Sequence, residues 1–205
     1  MNPTIVTTGA FEVNGLLLTV GRGAAVAVDP GEAAPVCRAL QERGEVLAAV
    51  LLTHGHFDHC AGLDGLLAIH PAPVYLHEAD AAWAFGEWNR MPPWYPEPPA
   101  RPAQWRPLPA GELRIGDLKL RVILTPGHTP GSVCFHQSDE RWLISGDTLF
   151  REGVGRTDLP GGDFQTLRAS LQRLLELPDD TRVFPGHGPA TTVGHEREYN
   201  PFLNA

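Results

Sequence analysis

The sequence predicts an α/β protein in which two sheets stack face to face and helices cover both outer surfaces. Three observations predict it. Short strand-like runs recur in both halves of the chain. Each half also carries segments of helical periodicity. A continuous apolar run, Val46–Thr53, reads as a strand buried on both faces. The order is strands, helix, strand, helix, and then the same again. Two packed sheets with outer helices bury the apolar faces of such a series. With 205 residues, one domain spanning 1–205 is expected, large enough to hold a core unaided.

Taken in order, Asn14-Gly15 between Ala10–Val13 and Leu16–Val20 reads as a two-residue hairpin. Gly21–Gly23 is a second turn, and Ala24–Val28 a strand that ends at Asp29-Pro30-Gly31. Ala33–Arg43 sets Val36, Ala39 and Leu40 at helical spacing, with Gly44 as the stop. After Val46–Thr53, Ala61–Ile69 reads as a helix, Pro73–Leu76 as a strand and Glu78–Trp88 as a helix. Trp83, Phe85 and Trp88 are read there as packing residues. Met91 to Pro109 crowds prolines around Trp94, Tyr95 and Trp105, which excludes a regular helix. Two readings stand for it: a surface loop with buried aromatics, or a lid or substrate wall. Glu112–Ile115, Leu118–Thr125, Ser132–His136 and Trp142–Ser145 are strands. Asp163–Leu177 places Phe164, Leu167, Leu171, Leu174 and Leu175 on one helical face, with Asp163 as cap and Pro178 as stop. Arg182–Pro185 is a last strand and His195–Leu203 a terminal helix.

Charge narrows the partners. Lys plus Arg number 16 against 24 Asp plus Glu, a net charge of −8, and no basic stripe occurs. Nucleic acid and anionic membrane surfaces are therefore not expected partners. No apolar run approaches the ~20 residues that cross a bilayer, and no leader pattern opens the chain. Cys37, Cys60 and Cys134 form no CxxC pair, which points to a reducing compartment, the cytoplasm. A monomer or small homo-oligomer is expected.

The chemistry is concentrated after Val46–Thr53. His54, His56, Asp58 and His59 fall within six residues, directly behind a buried strand. Such a cluster makes a poor core, and its imidazoles would repel one another if protonated. A divalent cation resolves both problems, because imidazole nitrogen and carboxylate oxygen are its usual ligands. In an extended loop His54 and His56 point the same way and can grip one ion. Asp58 and His59 follow a bend and can grip a second. Three further strand ends carry the same residue types, each beside glycine: Thr125-Pro126-Gly127-His128, Ser145-Gly146-Asp147-Thr148 and Pro185-Gly186-His187-Gly188.

This set, with Asp29 behind the early strand, resembles the metallo-β-lactamase superfamily over nearly the whole chain. The resemblance implies a four-layer αββα sandwich with a dinuclear metal site at one edge. His54, His56 and His128 would hold one divalent ion, Asp58, His59 and His187 a second, and Asp147 would bridge them. Asp29 would brace the metal loop. Zinc is the first expectation, with Fe or Mn as alternatives. Gly146-Asp147-Thr148-Leu149-Phe150, Gly155-Arg156-Thr157-Asp158 and the closing Glu196-Arg197-x-x-Asn200-Pro201-Phe202-Leu203 resemble the short, single-domain glyoxalase II type. That implies hydrolysis of an S-(2-hydroxyacyl)glutathione or similar small-molecule thioester by a metal-bound hydroxide, with Asp58 also orienting the nucleophile. Having both His59 and Asp147 argues against antibiotic hydrolysis. Arg156 has two readings, contact with a substrate carboxylate or an ion pair with Asp158 or Asp163.

A rival on the same fold is a persulfide dioxygenase, with one iron on His54, His128 and Asp147 and open positions for oxygen. An RNA-processing nuclease of the superfamily would carry an added domain and basic surfaces, which 205 residues at −8 do not fit. A non-catalytic binding protein is disfavoured by the intact ligand set.

Overall fold

The computed structural model of the protein describes residues 3–90 and 97–203. The first sheet holds β1 (Thr4–Thr8), β2 (Val13–Thr19), β3 (Ala24–Val28), β4 (Val46–Leu51), β5 (Val74–Leu76) and β6 (Trp105–Pro107), side by side in chain order. β1 to β3 pair antiparallel, and β3 to β6 pair parallel. The second sheet holds β7 (Gly111–Ile115), β8 (Leu118–Leu124), β9 (Val133–Gln137), β10 (Trp142–Gly146), β13 (Arg182–Pro185) and β14 (Thr191–Thr192). Its spatial order is β14-β13-β10-β9-β8-β7, with β10 and β13 parallel and the other pairs antiparallel. Between β10 and β13 in the chain, β11 (Leu149–Phe150) and β12 (Gly153–Val154) form a small separate hairpin. The helices are α1 (Ala33–Arg43), α2 (Phe57–Cys60), α3 (Leu63–Ile69), α4 (Glu78–Ala81), α5 (Phe164–Leu174) and α6 (Val193–Tyr199).

The two-residue period of the strands sorts side chains into layers. Leu16 and Leu18 of β2, Val26 and Val28 of β3, and Ala49 and Leu51 of β4 pack between the sheets. There they meet Leu120, Val122, Val133, Phe135, Trp142 and Ile144 of the second sheet. The alternate residues Leu17, Ala27 and Val50 face Val36 and Leu40 of α1 and Leu63 and Leu66 of α3. On the far side Cys134, Leu143 and Val183 meet Leu167, Leu171 and Leu174 of α5. The layers run helix, sheet, sheet, helix, as the αββα expectation has it. Each fully buried leucine contributes about 1.5–3 kcal/mol.

Several elements fall where periodicity puts them. Ala24–Val28, Ala33–Arg43 and Arg182–Pro185 match residue for residue. Gly44 caps α1 in the left-handed region, at φ 62°, with its N–H on the Gln41 carbonyl. The Asp163 side chain accepts from the Thr166 N–H at 2.7 Å at the start of α5.

Others differ. The first hairpin turns at Gly9–Glu12, where the Glu12 N–H bonds the Gly9 carbonyl at 3.1 Å, and Asn14-Gly15 lies inside β2. The pair serves tertiary contacts instead. The buried Asn14 amide donates to the carbonyls of Pro185 (3.0 Å) and Gly188 (2.7 Å). A Cβ on Gly15 would stand 3.0 Å from the Val6 carbonyl. Glu78–Trp88 shrinks to α4 and a 3₁₀ turn at Glu87–Asn89, and Trp88 is 87% exposed, so it is not a packing residue. Within Met91 to Pro109, residues 91–96, with Trp94 and Tyr95, lie outside the described residues. Trp105–Pro107 forms the edge strand of the first sheet, and Trp105 packs against the helix-side core, so this part is scaffold and not a lid. Phe164 is 39% exposed, off the buried face of α5.

Asn14 ties β2 to the loop that follows β13. Asn14→Ala leaves the buried Pro185 carbonyl and the Gly188 carbonyl without their donor and is expected to lower stability by about 2 kcal/mol. Urea denaturation of the full chain measures it; a loss near zero would mean this tie contributes nothing.

Candidate metal centre

Five strand ends deliver the predicted residues to one edge of the sandwich. β3 ends at Asp29, β4 leads into His54–His59, β8 into His128, β10 into Asp147 and β13 into His187. The backbone must approach closely there. A Cβ on Gly186 would lie 2.2 Å from Asp147 Oδ1, which explains glycine before His187. Asp29 turns the chain out of β3 at φ 47°, a left-handed conformation that Asp tolerates better than most residues.

All seven predicted ligands converge. The candidate ligand atoms of His54, His56 and His128 lie within 4.8 Å of one another, as do those of Asp58, His59 and His187. His54, His59 and Asp147 form a third, overlapping group. Asp147 stands between the two triads. Its Oδ1 is 3.4 Å from His59 Nε2, and its Oδ2 is 3.6 Å from both His128 Nε2 and His187 Nε2. Asp58 Oδ2 lies 3.3 Å from His187 Nε2.

Outer hydrogen bonds fix which ring nitrogen faces inward. His128 Nδ1 meets the Arg156 carbonyl at 2.7 Å, and His187 Nδ1 meets the Phe11 carbonyl at 2.9 Å. A carbonyl can only accept, so both Nδ1 atoms carry a hydrogen and both Nε2 atoms face inward, each with the lone pair when its ring is neutral. His59 Nδ1 donates likewise to Asp29 Oδ2 at 3.0 Å. The Thr53 hydroxyl donates to Asp29 Oδ2 at 2.6 Å, which leaves its oxygen to accept from His54 Nδ1 at 3.0 Å. Asp29 also accepts the Thr53 N–H at 2.8 Å, so one carboxylate anchors two ligand rings. His56 points the other way, with Nδ1 2.9 Å from His128 Nε2.

The electrostatics fit a cation. His54 Nε2 and Asp147 Oδ1 are buried with no hydrogen-bond partner, a costly state for polar atoms. Burial and the neighbouring imidazoles push His54 far down, and they push His56 down to about 4, so both are neutral at neutral pH. Burial would do the same to His59, but Asp147, Asp58 and Asp29 overcome it and raise this ring well above the ordinary range. Asp58 and Asp147 are held below the usual carboxylate range: burial opposes this, and the neighbouring histidines prevail. Carboxylates thus gather around inward-facing imidazole nitrogens, and the donor set suits divalent metal, which would take the place of the His59 proton.

Two further groups lie beside the ligands. The exposed Arg156 guanidinium forms a bidentate pair with Asp158, at 2.7 and 2.8 Å, so in this structure the ion-pair reading holds and its carbonyl is what touches the centre. Cys60 is buried beside the loop, and burial drives its thiol up, so it is a space-filling residue.

Sequence reasoning missed Asp80. This fully buried carboxylate on α4 accepts from the N–H of Gly55 (2.8 Å), the hydroxyl of Thr129 (2.7 Å) and the N–H of Gly131 (2.7 Å). It fastens the His54–His56 loop to the His128 loop. Burial raises its carboxyl, against the pull of those donors. Asp80→Ala should weaken metal binding by about 10- to 100-fold, the usual cost of removing support behind a ligand. Calorimetric titration with zinc measures it; unchanged affinity would show that the two loops hold their places without this carboxylate.

Comparison with known proteins agrees with the fold. Residues 8–187 match the family model for the metallo-beta-lactamase superfamily. A probable metallo-hydrolase of Bacillus subtilis, YqgX, is 42% identical over 86% of this chain and 85% of its own. The hydroxyacylglutathione hydrolase GloC of Haemophilus influenzae is 32% identical over 100% and 99%. Among solved structures, the BLEG-1 B3 metallo-beta-lactamase superposes with a TM-score of 0.91 at 38% identity, covering both chains fully. TTHA1623, solved in a di-iron-bound form, gives 0.88 at 43% identity, over 98% of this chain and 100% of its own. ETHE1 from Myxococcus xanthus gives 0.79 at 28%, over 100% and 85%. With its fold, its converging histidines and aspartates and a family match over most of its length, the chain belongs to the metallo-beta-lactamase superfamily.

Proposed function

We propose that this metal-dependent hydrolase cleaves thioesters, of the S-(2-hydroxyacyl)glutathione kind, at a centre holding two divalent ions. The observation that carries the reading is the pair of ligand triads with Asp147 between them. The likeness to GloC supports the substrate class. One ion would sit on His54, His56 and His128, the other on Asp58, His59 and His187, with Asp147 shared. Zinc suits these ligands, and the di-iron form of TTHA1623 makes iron its rival. Bound there, two such ions supply a water made acidic near neutral pH and a Lewis acid for the carbonyl.

The chain's own groups then have limited work. Asp58, partly exposed at the rim, orients the attacking water as well as serving as a ligand. Hydrolysis replaces the carbonyl's C–S bond with C–O, and sulfur leaves with the electron pair. A thiolate of pKa about 8.5 leaves without first being protonated. An amine does not, so an amide or β-lactam makes a demand here that a thioester does not. Arg156, exposed next to the centre, would exchange Asp158 for a carboxylate of the thiol carrier.

The mono-iron persulfide reading would use His54, His128 and Asp147 and leave Asp58, His59 and His187 without a role. Its mark would be one iron per chain with persulfide-dependent oxygen uptake.

The test is hydrolysis of S-D-lactoylglutathione by protein of measured metal content, beside a β-lactam control. Two ions per chain and turnover abolished by chelation are expected. Asp147→Ala should lower kcat/KM by at least about 100-fold and reduce the bound metal. Arg156→Ala should raise KM about fivefold, as an exposed charge contact warrants, with metal content unchanged. β-lactam turnover without thioester turnover would overturn the proposal.

A further inference from the structure

His56 belongs to two places at once. Its Nδ1 faces His128 in the metal centre, and it also lines a groove of about 540 Å³. That volume falls within the ~300–1,000 Å³ of small-molecule sites. Trp83 and Trp88 line it from the segment around α4, and Pro130, Leu159 and Pro160 from two later loops. The Trp83 ring lies 5.6 Å from the His56 ring, centre to centre. Trp88 is more exposed than any other large apolar side chain among the described residues. Indole surface left in water beside other apolar groups marks a place where something binds.

The walls are built into the site. Asn89, buried next to Trp88, donates to the carbonyls of Gly55 (2.7 Å) and Ala84 (2.8 Å), which bolts the tryptophan wall to the His54–His56 loop. On the other side, a Cβ on Gly161 would come within 2.9 Å of the Pro130 ring, so those two loops touch with no space between them. The cation of the groove, Arg90, is paired with Glu97 at 2.7 Å. A carrier bearing carboxylates finds little complement here. An apolar chain finds two indoles, a leucine and two proline rings.

We propose that this groove holds the acyl part of the substrate, and that the enzyme prefers thioesters whose acyl group is apolar and larger than lactoyl. The carrier then runs outward past Arg156, which does not line the groove. The inference rests on the thioester reading and refines its substrate class.

The test uses the metal-loaded full chain and glutathione thioesters of acetyl, butanoyl, hexanoyl and phenylacetyl groups. The expected result is a rise in kcat/KM of about threefold per added methylene along the straight chains, with phenylacetyl well above acetyl. The hexanoyl-to-acetyl ratio should fall by about tenfold in both Trp88→Ala and Leu159→Ser. A flat or falling series overturns this inference and leaves the thioester reading standing, as does a rise that survives both substitutions. If none of these thioesters is hydrolysed, nor S-D-lactoylglutathione, the thioester reading falls and takes this inference with it.

Discussion

The centre depends on where its imidazole rings place their N–H bonds. A neutral ring has one donor and one lone pair, and each outward hydrogen bond decides which nitrogen is which. His54, His59, His128 and His187 give their Nδ1 hydrogens to Thr53, Asp29, the Arg156 carbonyl and the Phe11 carbonyl. Their Nε2 atoms are thereby aimed at a common space. Rings free to flip would offer hydrogen as often as lone pair. The outer bonds, drawn from β1–β2, the end of β3, the end of β4 and the loop after β12, make convergence a property of the whole edge.

The sandwich brings these bonds together because each sheet contributes parallel neighbours. β3 beside β4 puts Asp29 next to Thr53, and β10 beside β13 puts Asp147 next to His187. Bonds between the sheets then set one pair against the other. The Val133 N–H meets the Thr53 carbonyl at 2.8 Å, the Asn14 N–H meets the Gly186 carbonyl at 2.7 Å, and Asp80 holds the loops after β4 and β8. Burying imidazoles and carboxylates opposes folding unless they are paired. Asp29 and Asp80 are therefore as much conditions of the site as the ligands are.

The ligands were legible in the sequence because they follow apolar strands in segments with no other use for such residues, five of the seven beside a glycine. The helices α1 and α5 were legible because their apolar spacing and caps are local. What escaped was settled between distant segments. Asn14-Gly15 has the local chemistry of a hairpin turn, yet contacts with Pro185, Gly188 and Val6 hold it inside a strand. Asp80 looks like any acid in a short surface helix until Thr129 and Gly131, some fifty residues on, arrive at its carboxylate. Trp88 reads as core by residue type, and its exposure follows from the chain leaving the helix after Ala81. Arg156 has a neighbouring acid two positions away, and sequence alone did not choose between that partner and an external one.

Gly55 links the chemistry to substrate selection. Its N–H is held by Asp80 and its carbonyl by Asn89, so one peptide segment joins the metal loop, the loop after β8 and the tryptophan wall. A change at either support moves His54 and His56 together with the groove, and its effect should be the same for every substrate. A change on the groove surface leaves that segment in place, and its effect should depend on the acyl group. The two kinds of residue are thus separable by substrate dependence, although they lie within one cluster of contacts. The rigidity of the junction also has a chemical purpose: a carbonyl placed by its acyl chain must arrive where the ligands converge, and a displacement of about 1 Å can cost about 100-fold in rate.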